Sequence, residues 1–263
     1  MQNITFTKMV ASGNDFVVID GHKASAQKIC DRKYGVGADG LLVLEKSGIA
    51  DVKMRVFNAD GSEAEMCGNG ARCVALWLSV QRTTHNAQLK IETKAGIIQA
   101  EVNKDNVRIK LTSPKGLKIG IPLKINSRML KANFINTGVP HTVIFVEGLD
   151  KIDIANLGRL IRNHNKFAPK GTNVDFVEVI SRDTLRVRTY ERGVEDETLA
   201  CGTGAVASSL IANRMGYVAK IPVKVKVRSA EELKVYFRKI DKGFKDVWLE
   251  GRARIVYKGV YHV

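Results

Sequence analysis

The chain has 263 residues, 44% of them hydrophobic and 26% charged, which suits one large or two ordinary domains of a soluble globular protein. No apolar run approaches the roughly 20 residues of a membrane helix, and the N-terminus lacks the basic start and apolar core of a signal peptide. The sequence therefore predicts a cytoplasmic protein with no membrane partner. The formal net charge of +15 comes without an arginine-rich tail, zinc spacing or aromatic-studded basic strand. That favours a lysine-rich solvated surface over nucleic-acid binding, because charge alone speaks to association and not to fold.

Taken in order, Ile4 to Met9 and Phe16 to Asp20 read as strands joined by the turn Ala11-Ser12-Gly13-Asn14-Asp15. Ala24 to Lys33 reads as a helix. Gly35-Val36-Gly37-Ala38-Asp39-Gly40 matches G-x-G-x-x-G, yet a helix precedes it and the strand Leu41 to Glu45 follows, the reverse of a dinucleotide site. Asp51 to Phe57 alternates as a strand, and a loop from Asn58 leads to Met66-Cys67-Gly68-Asn69-Gly70-Ala71-Arg72-Cys73, which opens an apolar helix. Leu89 to Thr93 and Ile97 to Val102 form a hairpin, Val107 to Leu111 a strand, and Thr112 to Gly116 a domain junction.

The second half repeats this order. Strands at Ala132 to Asn136 and Thr142 to Val146 flank a turn ending in Pro140-His141. A helix at Asp153 to Asn165 precedes the strands Val174 to Ile180 and Thr184 to Thr189. The loop Tyr190-Glu191-Arg192-Gly193 follows, then Ala200-Cys201-Gly202-Thr203-Gly204-Ala205, which opens a second apolar helix, Gly202 to Met215. Gly202 to Ala207 also matches a dinucleotide fingerprint, but follows an acidic segment and not an apolar strand. Strands at Val223 to Val227, Leu233 to Phe237 and Val247 to Leu249 complete the repeat. The period is far longer than a solenoid unit, so this is a domain duplication. The expected fold is α+β, with two pseudo-symmetric domains. Each is a curled, mostly antiparallel, barrel-like sheet around a central helix, because helices apolar most of the way round belong inside sheet.

Four cysteines, Cys30, Cys67, Cys73 and Cys201, include no Cys-x-x-Cys pair, so neither a metal site nor a disulfide framework is expected. Cys30 and Cys73 read as packing residues. Cys67 and Cys201 each begin a helix, where unpaired N–H groups and the helix dipole favour a carboxylate and lower a thiol's pKa. Two such helix starts facing one another across an interdomain cleft would grip one carboxylate with the α-carbon between the sulfurs. One thiolate would then remove the α-proton while the opposite thiol protonates the other face, with no cofactor. Taken singly, Asn14, Asn58, Asn173 and His141 read first as turn residues, and Glu191 and Arg192 as a surface pair; they gain weight because all fall in parallel loops of the two halves.

These segments resemble diaminopimelate epimerases along the length of the chain. The resemblance rests on both cysteine motifs, Gly13-Asn14-Asp15-Phe16-Val17-Val18, Phe57-Asn58-Ala59-Asp60-Gly61-Ser62-Glu63, Pro140-His141 and Tyr190-Glu191-Arg192-Gly193. It implies interconversion of LL- and meso-2,6-diaminopimelate without pyridoxal phosphate, in lysine and peptidoglycan precursor synthesis, by a homodimer. It implies Cys67 and Cys201 as acid/base residues assisted by His141 and Glu191. Asn14, Asn58, Asn173, Glu191 and Arg192 would hold the substrate, with Arg192 on the distal carboxylate. Backbone N–H groups at Gly68-Asn69 and Gly202-Thr203 would hold the carboxylate at the reacting centre. Residues 1–115, joined by a returning segment 253–263, would form one domain and 116–252 the other. Val139 and Gly40 depart from the Asn and Gln common in the family. The alternative is another two-cysteine racemase such as a proline racemase relative; Asn69 and Arg192 favour diaminopimelate.

Overall fold

The computed structural model describes residues 3–21, 24–84 and 86–262, so expectations touching residues 1, 2 and 263 lie outside the described residues. In chain order the elements are β1 (Asn3–Ala11), β2 (Asn14–Asp20), α1 (Ala26–Ile29), β3 (Gly40–Glu45), β4 (Val52–Asn58), β5 (Glu63–Ala64) and α2 (Gly68–Gln81). Next come β6 (Asn86–Thr93), β7 (Gly96–Asn103), β8 (Asn106–Lys110), β9 (Lys115–Ile125), β10 (Arg128–Asn136), β11 (Pro140–Phe145) and α3 (Ile154–Arg162). The chain ends with β12 (Asn173–Ser181), β13 (Thr184–Glu191), β14 (Asp196–Thr198), α4 (Gly202–Arg214), β15 (Val223–Lys226), β16 (Glu232–Ile240), β17 (Gly243–Arg252) and β18 (Arg254–His262). Two compact units result: Met1–Lys110 with Glu250–Val263, and Leu111–Leu249.

In the first unit, β1 pairs antiparallel with β2 and, on its other side, with β18. The β1–β2 loop is two residues, Ser12 (φ 54) and Gly13 (φ 82), both in the left-handed region that lets a tight hairpin follow the strand twist. Strand β2 pairs parallel with β3, β3 antiparallel with β4, β4 antiparallel with β5 and parallel with β6, and β6 antiparallel with β7. Helix α2 packs against β1, β2, β4, β6, β7, β8 and β18. Enclosure explains its composition: Ala71, Cys73, Val74, Ala75, Leu76 and Leu78 are all buried. The helix expected over Ala24 to Lys33 shrinks to the single turn of α1. Ser25 accepts from Lys28 N at its start, and beyond its end the Asp31 carboxylate takes the Lys33 and Tyr34 N–H groups (2.7 and 2.8 Å), which closes a turn in place of further helix.

The second unit repeats this plan ladder by ladder. Strand β10 pairs antiparallel with β9 and β11, β11 parallel with β12, and β12 antiparallel with β13. Strand β13 pairs antiparallel with β14 and parallel with β15, and β15 antiparallel with β16. Helix α4 packs against β10, β11, β12, β13, β15 and β16. Strand β9 is not among the sequence-predicted strands; it begins inside the segment read as a junction.

The matched ladders equate positions of the two units. Phe16 pairs with Gly40 as His141 pairs with Asn173. Leu42 pairs with Val56 as Asp175 pairs with Thr189. Cys67 N-caps α2 as Cys201 N-caps α4. A side chain added at Gly70 would meet Leu42, and one added at Gly204 would meet Asp175, in agreement with that register.

Candidate active site

Each helix start gathers some of the expected residues, and the two gatherings differ. In the first unit the backbone is extended at Cys67, then turns into α2, so that the Gly70 N–H donates to Cys67 Sγ at 3.4 Å. That donor is one of the four N–H groups a helix leaves without an intrahelical partner. The Asn14 side chain lies beside the same sulfur, its Oδ1 4.0 Å from Cys67 Sγ and 3.4 Å from Asn69 Nδ2. Asn14 is oriented from behind: its Nδ2 donates to Asp39 Oδ2 at 2.8 Å, and an amide that donates there must turn its oxygen toward Cys67. Asp39 is fixed in turn by Arg32 and by the Asp15 N–H. Hydrogen bonds from Arg32 and Lys8 hold the Asp15 carboxyl well below the usual carboxylate range, against the opposing effect of burial.

Arg72, a turn into α2, is fully buried. Its guanidinium donates to Asn69 Oδ1 (2.6 Å), Ser12 Oγ (3.0 Å) and the Arg252 carbonyl (3.1 Å). It ties the helix start to the β1–β2 loop and to the C-terminal segment, and puts a cation behind Asn69. Sequence reading passed over Arg72 although it sits inside the first cysteine motif. Its signal was the one charged side chain in a mostly apolar helix. Asn58 stands apart: it is exposed, and its side chain donates to Ser62 Oγ at 2.9 Å within its own turn.

In the second unit Cys201 is buried at the start of α4, with Sγ 3.5 Å from Thr203 Oγ1. His141 and Asp175 are both fully buried, with His141 Nδ1 2.7 Å from Asp175 Oδ2 and His141 Nε2 2.9 Å from Thr203 Oγ1. Thr189 Oγ1 donates to the other Asp175 oxygen at 2.7 Å. Asn173 accepts from Arg192 N at 2.8 Å, donates to the Pro140 carbonyl at 3.2 Å and lies 3.4 Å from His141 Nε2, so it fixes the loops that carry His141 and Arg192. The Arg192 guanidinium rests on the Lys170 carbonyl at 3.4 Å. Gly202 and Thr203 present first-turn N–H groups, as Gly68 and Asn69 do in α2.

A helix start is expected to lower a thiol's pKa, and at Cys201 that effect is outweighed. Burial pushes this thiol well above its ordinary value, and the charges of Glu191 and Asp175 push it further than the Thr203 hydroxyl and Gly204 N–H draw it back. Burial likewise pushes the Glu191 carboxyl up, with the Asp175 charge adding to it. Burial and the facing carboxylates thus favour the protonated form of Cys201. No cluster of three or more metal-binding side chains occurs among the described residues. No helix among them is long and apolar enough to cross a membrane.

The duplicated barrel-like fold is shared with solved structures of low sequence identity. A phenazine biosynthesis protein of the PhzF family from Bacillus anthracis superposes with a TM-score of 0.75 at 19% identity, over 100% of both chains. A probable proline racemase from Agrobacterium radiobacter also gives 0.75, at 14% identity, over 99% of this chain and 92% of that one. With a cysteine at the start of one helix in each unit, the chain is an isomerase of the racemase and epimerase class by its sequence match. The sequence model of the diaminopimelate epimerase family matches residues 6–116 and 133–254, and the chain belongs to that family. It is 43% identical to the diaminopimelate epimerase of Aquifex aeolicus, over 97% of this chain and 96% of that protein. It is 44% identical to that of Archaeoglobus fulgidus, over 85% and 86% respectively.

Proposed function

We propose that this protein interconverts LL- and meso-2,6-diaminopimelate in the cytoplasm, as a homodimer, on the route to lysine and peptidoglycan precursors. The observation that carries the reading is the family match, which spans both cysteine segments. The two domains are residues 1–115 with 253–263 and residues 116–252, and each contributes one cysteine helix. First-turn N–H groups of Gly68, Asn69, Gly202 and Thr203 receive the carboxylate at the reacting carbon, where the two helix dipoles stabilise the charge that builds as the α-proton leaves. Asn14, Asn58, Asn173, Glu191 and Arg192 hold the rest of the substrate, Arg192 taking the distal carboxylate.

Cys67 is one of the two proton carriers. Its sulfur accepts an N–H from the helix start, and the Arg72 cation lies behind its neighbour Asn69. Cys201 is the resting acid, since burial and two nearby carboxylates keep its proton on. Transfer of the substrate proton to Cys67 and of the Cys201 proton to the opposite face inverts the carbon, and His141 and Glu191 assist at the thiols. The test is turnover with LL-diaminopimelate and with proline as separate substrates. Conversion of diaminopimelate is expected, with Cys67→Ser and Cys201→Ser each at least about 100-fold slower, the usual scale for removing a positioned proton carrier. Activity on proline alone, or two nearly fully active serine variants, overturns the reading.

A further inference from the structure

The second unit carries a buried polar chain that the first unit lacks at the same positions. His141, Asp175 and Thr189 stand where the first unit has Phe16, Leu42 and Val56. The scaffold is thus satisfied by three apolar side chains at these places, and a buried polar trio is not a requirement of the fold. Buried polar groups cost stability unless each is paired. Here each is paired, and the pairs run in one line to a sulfur. Asp175 touches His141, His141 touches Thr203, and Thr203 touches Cys201, at 2.7, 2.9 and 3.5 Å.

We propose that Asp175 and the Thr203 hydroxyl complete a proton relay through which His141 takes up and returns the proton of Cys201. This rests on the reading of Cys201 as a proton carrier. The direction of each bond follows from what its members can donate. An ionised carboxylate only accepts, so His141 Nδ1 carries a proton toward Asp175 Oδ2, and Thr189 fills the other oxygen. His141 Nε2 is then the acceptor and takes the Thr203 O–H. The Thr203 oxygen is left to accept the Cys201 S–H. When Cys201 ionises, its S–H bond breaks and a new O–H bond forms at Thr203. The former Thr203 proton moves to His141 Nε2 in the same step, which gives a thiolate and an imidazolium. No proton enters from water, and the imidazolium charge is opposed by the Asp175 carboxylate. Asp175 is a positioning residue: it fixes the tautomer that makes the line run this way.

The relay resolves a conflict within the site. Cys201 is 7% exposed, and the charged groups facing it, Asp175 and Glu191, both disfavour its thiolate. Loss of its proton to bulk solvent is therefore opposed, yet in one direction of an epimerase this thiol must act as the base. An internal acceptor removes the need for solvent. Cys67, partly exposed beside Asn14 and the Gly70 N–H, has no histidine at the position matching His141, where Phe16 stands.

The test needs no substrate, so it is separable from the assigned reaction. In the full-length Cys67→Ala protein, iodoacetamide labelling of Cys201 is followed across pH by mass spectrometry of its peptide. With the relay, reactivity rises in two steps, because the first proton lost is shared by thiol and imidazole and the second leaves full thiolate. The combined variant His141→Phe, Asp175→Leu, Thr189→Val restores the side chains that the first unit carries there, and replacing a paired buried polar group by apolar ones is often tolerated. It is expected to show one step at high pH and at least about tenfold less labelling at neutral pH, the effect of one pKa unit. Thr203→Val also loses the lower step, and Thr203→Ser regains it. A single high-pH step in the Cys67→Ala parent overturns the relay. So does a lower step that persists in Thr203→Val. Two-step labelling in a chain with no turnover of diaminopimelate upholds the relay and refutes the assigned substrate.

Discussion

Gly204 and Gly70 occupy matching places one turn into the two cysteine helices, and the structure separates the consequences of giving each a methyl group. A Cβ on Gly204 would stand 2.2 Å from Asp175 Oδ1 and 3.2 Å from Thr189 Oγ1. Asp175 is fully buried and bonded through both oxygens, to Thr189 and to His141. It has to move, and the nearest bond, from Thr189, breaks. A hydrogen bond to a buried charged group is worth about 1.5–3 kcal/mol, and alanine returns about 0.5–1 kcal/mol over glycine in a helix. Gly204→Ala therefore destabilises the second unit by about 1–2 kcal/mol. At Gly70 the added Cβ would meet the end of the Leu42 side chain at 3.0 Å, an apolar group that can turn aside. Gly70→Ala accordingly stays within about 1 kcal/mol of the parent. Thermal unfolding followed by tryptophan fluorescence measures both. Trp248 reports the second unit in a Trp77→Phe background, and Trp77 reports the first in a Trp248→Phe background. At about 2–4 °C per kcal/mol for a chain of this size, the Gly204→Ala drop is readily resolved. A Gly204→Ala protein as stable as its parent, or a larger loss at Gly70→Ala, refutes the packing argument.

Arg72→Met removes a buried guanidinium from Asn69, Ser12 and the Arg252 carbonyl and leaves those oxygens in the interior. The first unit is expected to lose about 2–4 kcal/mol, measured by urea unfolding with the Trp77 signal; a loss under 1 kcal/mol would show that the oxygens find other donors. Glu63, on strand β5 three residues before Met66 of the cysteine loop, is held at a pKa of about 2 by Arg55 and Lys94, against an ordinary 4.5. Its lowered pKa means that its contribution is complete above pH 4.5 and is lost as the pH falls toward 2. In Glu63→Gln the acid limb of the stability curve is expected to flatten over that window, as followed by circular dichroism; an unchanged limb contradicts the assignment.

The two cysteine helices could be read from the chain because their signal is local: a cysteine, small residues, then side chains apolar on every face. The matching order of strands was legible for the same reason. What escaped depends on pairing across the sheet. Strand β9 has apolar residues at every second position from Leu117 to Ile125, but Gly116, Gly120 and Pro122 interrupt the pattern and make it look like a linker until β10 binds it. Strands β5 and β14, of two and three residues, are too short to show a period. Asp175 sits in a run, Asn173 to Val177, that is buried at every position, and nothing adjacent in sequence marks it as a partner of His141. Only the parallel pairing of β11 with β12 brings them side by side. The lowering of the thiol pKa expected at the Cys201 helix start is outweighed for a related reason. The helix start is visible in sequence, whereas the burial and the facing carboxylates that outweigh it are products of the fold.

The central claim is that two groups on opposite faces of one carbon exchange its proton. Incubation of the purified protein with LL-diaminopimelate in deuterium oxide tests it. Solvent deuterium is expected at the α-carbon of the meso product from the first turnovers, while residual LL substrate stays largely unlabelled, because the group that takes the proton is not the one that returns it. Deuterium accumulating in LL substrate as fast as in product would mean a single shared base, and product without deuterium would exclude proton exchange with solvent-equilibrated thiols; either result contradicts the two-cysteine account.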